Sequence, residues 1–183
     1  MKAQVPVLTT ARLLLRPLEI ADADAVQRLF PQWEVVRFLT NRVPWPYPSD
    51  GALTYIRDIA LPAIEEGTQW HWSIRLSAKP DRLIGAISLI DGSDANRAFW
   101  LDPTMQGQGL MQEASDAVTD YWFGVLGKAV LRAPKAVANL KSRRISERSG
   151  MRVIRTQYHE YVSGRQMEEI WEITRDEWLN RPK

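Results

Sequence analysis

The chain of 183 residues contains no cysteine. Disulfide staples, thiolate metal sites and a cysteine nucleophile are thereby excluded, and a reducing, cytoplasmic setting is expected. Histidine is nearly absent: His71 and His159 stand far apart and suggest no metal site. The first ten residues, MKAQVPVLTT, lack the apolar core of a signal peptide. No run approaches the ~18 apolar residues of a membrane span, so no membrane partner is expected. Charge of one sign is lacking too: 24 basic against 22 acidic residues leave a formal +2. That excess is too small for a nucleic-acid footprint, and the basic stretch Lys141 to Arg152 lacks interleaved aromatics.

What the chain does have is length for a sizeable core and eight tryptophans, a high number that means a large core or a ligand-lined cleft, with the core as the default. No repeat, low-complexity tract or linker divides it, so residues 1–183 read as a single domain. Arg12 to Arg16 is a short apolar strand stopped by Pro17. Glu19 to Phe30 carries a helical stripe (Ile20, Ala21, Ala25, Val26, Leu29), and Val35 to Leu39 is one more helical turn or two. Three prolines between Asn41 and Ser49 forbid helix and central strand. Ser49 is placed to cap a helix from Asp50 to about Glu66, closed by Gly67. Trp70 to Leu76 alternates, with Trp70, Trp72, Ile74 and Leu76 on one face and His71, Ser73 and Arg75 on the other, which predicts a half-buried strand. Strands Leu83 to Ile90 and Arg97 to Leu101 follow, with a turn at Ala78 to Asp81 and a hairpin at Asp91 to Asn96.

After Asp102-Pro103 comes the loop Gln106 to Met111 and a helix to about Leu126, its stripe being Ala114, Val118, Tyr121, Trp122 and Val125. Ala129 to Val137 is a strand with Pro134 inside it, so it lies at an edge, or is splayed or bulged there. A short basic helix, Asn139 to Ser149, precedes strands Val153 to Val162 and Gln166 to Thr174 and a last helical turn, Asp176 to Leu179. The order is mixed α/β. The unit that carries chemistry is strand, glycine loop, helix. Gly107 and Gly109 let the backbone turn tightly and approach a ligand, and the helix beyond offers its free N–H groups and positive dipole end to an anion such as a pyrophosphate. No Lys-Ser/Thr follows, so the loop is no Walker motif, and a dinucleotide fingerprint is absent.

Four segments in order, TTARLLLRPLEIADADAV, IGAISLI with FWLDPTMQGQGLMQEA, NLKSRRISERSGM and EIWEITRDEW, resemble the GNAT superfamily of N-acetyltransferases. The likeness is greater to its ribosomal-protein alanine and serine N-acetyltransferase branch, and it covers nearly the whole chain. It implies one mixed central sheet of six to seven strands, largely antiparallel, with a splayed parallel pair and flanking helices. It implies acetyl-CoA as cosubstrate, with no metal, and a primary amine as acceptor: a protein N-terminus or a small molecule. Cofactor contacts are implied for Trp100, Leu101, Gln106, Gly107, Gln108, Gly109, Leu110, Met111, Asn139, Ser142 and Arg143. In the family the Asn139 position meets the pantetheine arm and the Ser142 position lies near the thiol. Met111 stands where the superfamily usually has a small residue, although the branch often has Met. Glu160 is the implied catalytic base, acting through water, and Ser142 the implied proton donor; Tyr158 and Tyr161 are alternates. One of Arg143, Arg144, Arg148 and Arg152 is expected near the 3′-phosphate. Trp33, Trp45 and Tyr47 lie on the acceptor side, where Glu34 or Asp91 are carboxylates for a cationic amine, and His71 has little claim to a role. A homodimer is allowed for. The competing reading is a silent acyl-CoA sensor of the same fold.

Overall fold

The computed structural model describes residues 4–182. Among them, eight strands form two antiparallel sheets. The larger runs in the order β1 (Leu8–Thr9), β2 (Leu13–Pro17), β3 (Gln69–Leu76), β4 (Lys79–Ile90), β5 (Arg97–Leu101). The smaller has β8 (Gly164–Thr174) between β6 (Val130–Ala136) and β7 (Arg152–Tyr161). The mixed α/β class and the antiparallel character agree with the sequence. The count differs because β1, only two residues long, leaves no pattern to read, and because no ladder joins β5 to β6. The turn after β3 is also shorter than expected, since β4 begins at Lys79.

On one face lie α1 (Ala23–Leu29), entered through a 3-10 turn at Ile20–Asp22, and α2 (Trp33–Val36). With them lies a rod made of α3 (Gly51–Tyr55), a π turn (Ile56–Ala60) and α4 (Leu61–Glu66). Gly67 ends the rod at φ 73°, but Ser49 does not cap it; Asp50 holds the cap position without a side-chain cap bond, and Gln27 Oε1 accepts from the Ala52 N–H of the first turn at 3.0 Å. On the other face lie α5 (Leu110–Gly124) and α6 (Leu140–Arg148), and α7 (Arg175–Asn180) closes the chain.

Two apolar layers result. Under α5, Leu13, Leu15, Trp72, Ile74 and Leu89 meet Ala114, Val118, Trp122 and Phe123. Trp72, Trp122 and Trp178 are fully buried there and absorb much of the tryptophan excess. Under α1, α2 and the rod, Val26, Phe30, Val36, Ala52 and Ile56 form the second layer. β3 is therefore covered on both faces. The expected solvated face (His71, Ser73, Arg75) is inside, with exposures of 4%, 0% and 6%. The α5 stripe is displaced as well. The helix stops at Gly124, Val125 is 70% exposed, and Phe123 takes the buried place.

A polar face can be buried only if its groups find partners. Arg75 forms an ion pair with Asp22 and donates to the Pro80 carbonyl at 3.0 Å. Asp22 in turn accepts from the Glu19 N–H at 3.2 Å, while burial holds its carboxyl above the usual range. This pair fastens the start of α1 to the middle of the sheet. Breaking one side of such a pair typically costs ~3–5 kcal/mol. Asp22→Ala should lose that much unfolding free energy in a urea titration; a loss below ~1 kcal/mol would mean that hydrogen bonds alone satisfy Arg75.

Candidate active site

β5 and β6 touch at one end and then part. The Asn96 N–H donates to the Arg132 carbonyl at 2.7 Å, and the Arg132 N–H to Asn96 Oδ1 at 2.8 Å. Main-chain groups alternate in direction along a strand, so if residue 132 faces β5, residues 134 and 136 do too. Residue 134 is proline and has no N–H to give. Pairing with β8 is unharmed, because the odd-numbered residues face that way: the Val137 N–H reaches the Met167 carbonyl at 3.0 Å. The same alternation acts on β5. The Asp102 N–H bonds the Ile84 carbonyl at 2.8 Å on the β4 side, which turns the N–H and C=O of Arg97, Phe99 and Leu101 toward the gap.

The glycine loop stands at the open end. Gly107 and Gly109 have φ of 80° and 77°. Among the described residues, no N–H from Gly107 to Gln112 has an acceptor; the first to find one is Glu113, bonded to the Gly109 carbonyl at 3.1 Å. Six consecutive free donors at a helix N-terminus form an anion seat. The Leu110 and Met111 side chains, 3% and 7% exposed, are buried in the core beneath, so Met111 leaves the donors clear. Gln106 ties the walls together: its Nε2 donates to the Leu101 carbonyl at 3.1 Å and its Oε1 accepts from Lys141 at 2.8 Å. Gln108 is exposed, and its carbonyl accepts from Arg12 at 2.9 Å. Arg12 also grips Glu113 of α5 at 2.8 Å, and a shallow pocket beside the loop carries Lys79 and Arg82.

The far wall of the gap is α6. Asn139 is its N-cap, accepting from the Ser142 N–H at 3.3 Å. Ser142 is buried, and its hydroxyl accepts from Lys135 Nζ at 2.8 Å. Burial and the nearby Arg97 charge hold the Lys135 ammonium well below its usual range. Arg143 is bound to Glu169 at 2.9 Å. Arg152 is likewise engaged, by Glu172 and Glu177, whereas Arg144 and Arg148 are exposed without an ion-pair partner among the described residues.

The opposite face carries the remaining implied residues. Trp100 points away from α5 and packs against Phe30, ring centroids 5.4 Å apart, so its indole belongs to the second layer; Leu101 is buried in the first. Tyr47 joins Phe30 at 5.1 Å, and Trp33 and Trp45 lie together at 5.8 Å, each 43% exposed. Glu160 is exposed, alternates to the same face of β7 as Tyr158, and its carboxylate forms no ion pair among the described residues. The pair that is assembled is Tyr161 and Glu168. The Tyr161 hydroxyl donates to Glu168 at 2.6 Å, Gln157 donates to the other oxygen at 2.9 Å, and the carboxylate is 3% exposed. Burial and that carboxylate push the Tyr161 hydroxyl far up. Glu34 is exposed, and Asp91 is engaged by Lys128 at 2.7 Å. Lys135, Glu168 and Arg12 were not singled out from the sequence. For Glu168 and Lys135 the available signal was that Glu168-Glu169, just before Ile170-Trp171, and Lys135, within VLRAPKAV, break patterns that otherwise read as buried.

A family model described as an acetyltransferase (GNAT) domain matches residues 12–152. The chain belongs to this family. It is 32% identical over 147 residues to the probable N-acetyltransferase YjcK of Bacillus subtilis strain 168, covering 75% of this chain and 79% of that one. It shares its fold with ribosomal-protein-S5-alanine acetyltransferase from Vibrio fischeri (TM-score 0.80, 14% identity, 97% and 100% of the two chains covered). It also shares it with spermidine N-acetyltransferase from Vibrio cholerae, solved with CoA and spermine (TM-score 0.77, 20% identity, 93% and 100% covered). The protein is thus an acyltransferase of the GNAT type. No helix among the described residues is long and apolar enough to cross a membrane.

His71 lies edge-on to Tyr55 beneath the rod, and Nε2 meets Gln69 Oε1 at 2.7 Å. Burial lowers its pKa from 6.5 to about 4. The folded state therefore keeps it neutral where the unfolded chain binds a proton, so stability should fall as pH drops from about 6.5 toward about 4. His71→Phe should flatten that part of a melting-temperature profile; an unchanged slope would assign it to other groups.

Proposed function

We propose that the protein transfers the acetyl group of acetyl-CoA to a primary amine by direct attack. The observation that carries the cofactor reading is the row of free N–H groups from Gly107 to Gln112 at the mouth of the β5–β6 gap. The pyrophosphate sits on those donors, with Lys79, Arg82 or the free arginines of α6 as counter-charges for the remaining phosphates. The pantetheine arm then lies along β5, its amides bonding the N–H and C=O groups that Pro134 leaves without a partner strand. Asn96 meets Arg132, and Phe99 meets Lys135 three residues further on in each strand, which supports a parallel, splaying pair.

The acceptor enters from the opposite face, where Ala98 is exposed beside Trp100. An ammonium must lose a proton before it can attack. The buried Glu168 carboxylate, steadied by Tyr161, serves as that base or holds the ammonium until a water takes the proton. Aromatic groups at Phe30, Tyr47, Trp33 and Trp45 border this side and suit either an N-terminal residue or a slender amine. An assembled acid–base pair favours turnover over a silent sensor, and a cytoplasmic location fits such a reaction.

Acetyl-CoA at ~100 times its dissociation constant should stabilise the fold by roughly 2.7 kcal/mol, read as a thermal shift. Gly109→Val should abolish the shift while leaving a folded protein, since a β-branched residue resists a φ of 77° and crowds the donors. Retained affinity in that variant would move the pyrophosphate elsewhere. Across an amine panel monitored by thiol release, Glu168→Gln should cut turnover roughly 10²–10⁴-fold with acetyl-CoA binding intact. Glu160→Gln, altering an exposed carboxylate, should change little; the reverse pattern would return the base to Glu160.

A further inference from the structure

The gap contains a group for which neither the cofactor's phosphates nor the acceptor accounts. Lys135 is only 5% exposed, its Nζ donates to the Ser142 hydroxyl at 2.8 Å, and it lies 5.0 Å from the centre of the Phe99 ring. Lysines this deeply buried are almost always paired. The carboxylate in position to pair is Glu169, directly opposite on β8, but Arg143 of α6 holds it at 2.9 Å and Trp171 Nε1 at 3.0 Å. The remaining charged neighbour is Arg97 of β5, 5% exposed, bonded to Thr119 at 2.8 Å and with its Nε unpartnered. Asp116 of α5 acts on Arg97 only at a distance, and neither cation forms an ion pair among the described residues. Two buried cations facing one gap, with the nearest carboxylate committed elsewhere, are complementary to an anion.

The cofactor path identifies that anion. With the pyrophosphate on the loop, the arm passes Leu101 and reaches Phe99, where Lys135 lies and beyond which Asn96 and Arg132 close the gap. The arm ends in sulfur, and acyl transfer converts that sulfur into an anion. We propose that Lys135 is a catalytic residue that receives the leaving group: its ammonium stabilises the CoA thiolate and protonates it. This rests on the cofactor reading given above. The acceptor nitrogen bonds to the acetyl carbon, the C–S bond breaks, and the electron pair stays on sulfur. One proton passes from Nζ to sulfur, giving CoA thiol and a neutral Lys135. The proton shed by the acceptor nitrogen, carried by Glu168 or solvent, restores the ammonium. Burial and the Arg97 charge weaken the hold of Lys135 on its proton, which favours its release to the sulfur. Ser142 orients Nζ and is a positioning residue in this scheme.

The test needs no acceptor. The chain has no cysteine, so in its complex with CoA the only thiol is the ligand's. The ultraviolet absorbance of the thiolate, taken against the complex with desulfo-CoA, is titrated for wild type, Lys135→Met and Lys135→Arg after calorimetry has established binding. The bound thiol should titrate about one pH unit or more lower in wild type than in Lys135→Met, with Lys135→Arg close to wild type. Equal titration in wild type and Lys135→Met, with CoA bound to both, would overturn the role of Lys135 and leave the cofactor site standing. Failure of wild type to bind CoA would overturn the cofactor reading itself. If Lys135→Met does not fold, Lys135→Gln takes its place under the same criterion.

Discussion

Everything at the site follows from the inability of β6 to zip onto β5. A β-α-β crossover would ordinarily close into a continuous sheet and bury its middle. Here one reciprocal contact between Asn96 and Arg132 holds the two strands at one end, and the next residue of β6 to face β5 is a proline. The missing N–H lies on the side away from β8, so the three-stranded sheet keeps its ladder while the shared edge stays open. The opening would be costly if its main-chain groups stayed dry and unpaired. A long ligand that carries its own amides satisfies them. Gln106 ties the two walls by bonding to Leu101 of β5 and to Lys141 of α6.

The gap also divides the chemistry. Side chains of β5 alternate across it: Arg97, Phe99 and Leu101 toward α5, Ala98 and Trp100 toward α1 and α2. In the proposed reaction the first set would line the cofactor's side and the second the acceptor's. The Asp22–Arg75 pair works at the same level. By burying the polar face of β3 it lets a second layer of helices cover the sheet, and that layer supplies the acceptor side with its walls.

The parts of this that were legible in the sequence are those governed by local rules. Period-two alternation located β3, turn signals bounded β4 and β5, and glycines located the loop and the end of the rod. What was not legible depends on packing. Alternation in β3 separates Trp72 from His71 but does not say whether the second face is wet, and an ion pair linking residues 22 and 75 decides that. The buried Glu168 was missed for a related reason. Glu160 and Tyr161 are neighbours in sequence yet face opposite ways, and a carboxylate on the next strand completes the buried site. Lys135 looked like an ordinary basic residue, since its lack of a carboxylate becomes visible only when Glu169 is found bonded to Arg143.

Direct acyl transfer asks for opposite electrostatics on the two sides of one carbonyl. The attacking ammonium must give up a proton, which a carboxylate favours, and the departing sulfur must accept negative charge, which a cation favours. The two would neutralise each other if they met. β8 keeps them apart by alternation alone: Glu168 turns to the acceptor's face, while Glu169, on the cofactor's face, is bound by Arg143 and Trp171 instead of Lys135. A carboxylate without a cation and a cation without a carboxylate thus stand on opposite sides of a narrow opening. Each is a burial that folding alone would not favour. The proposed reaction would satisfy both, by carrying a proton from one side to the other each time an acyl group passes through.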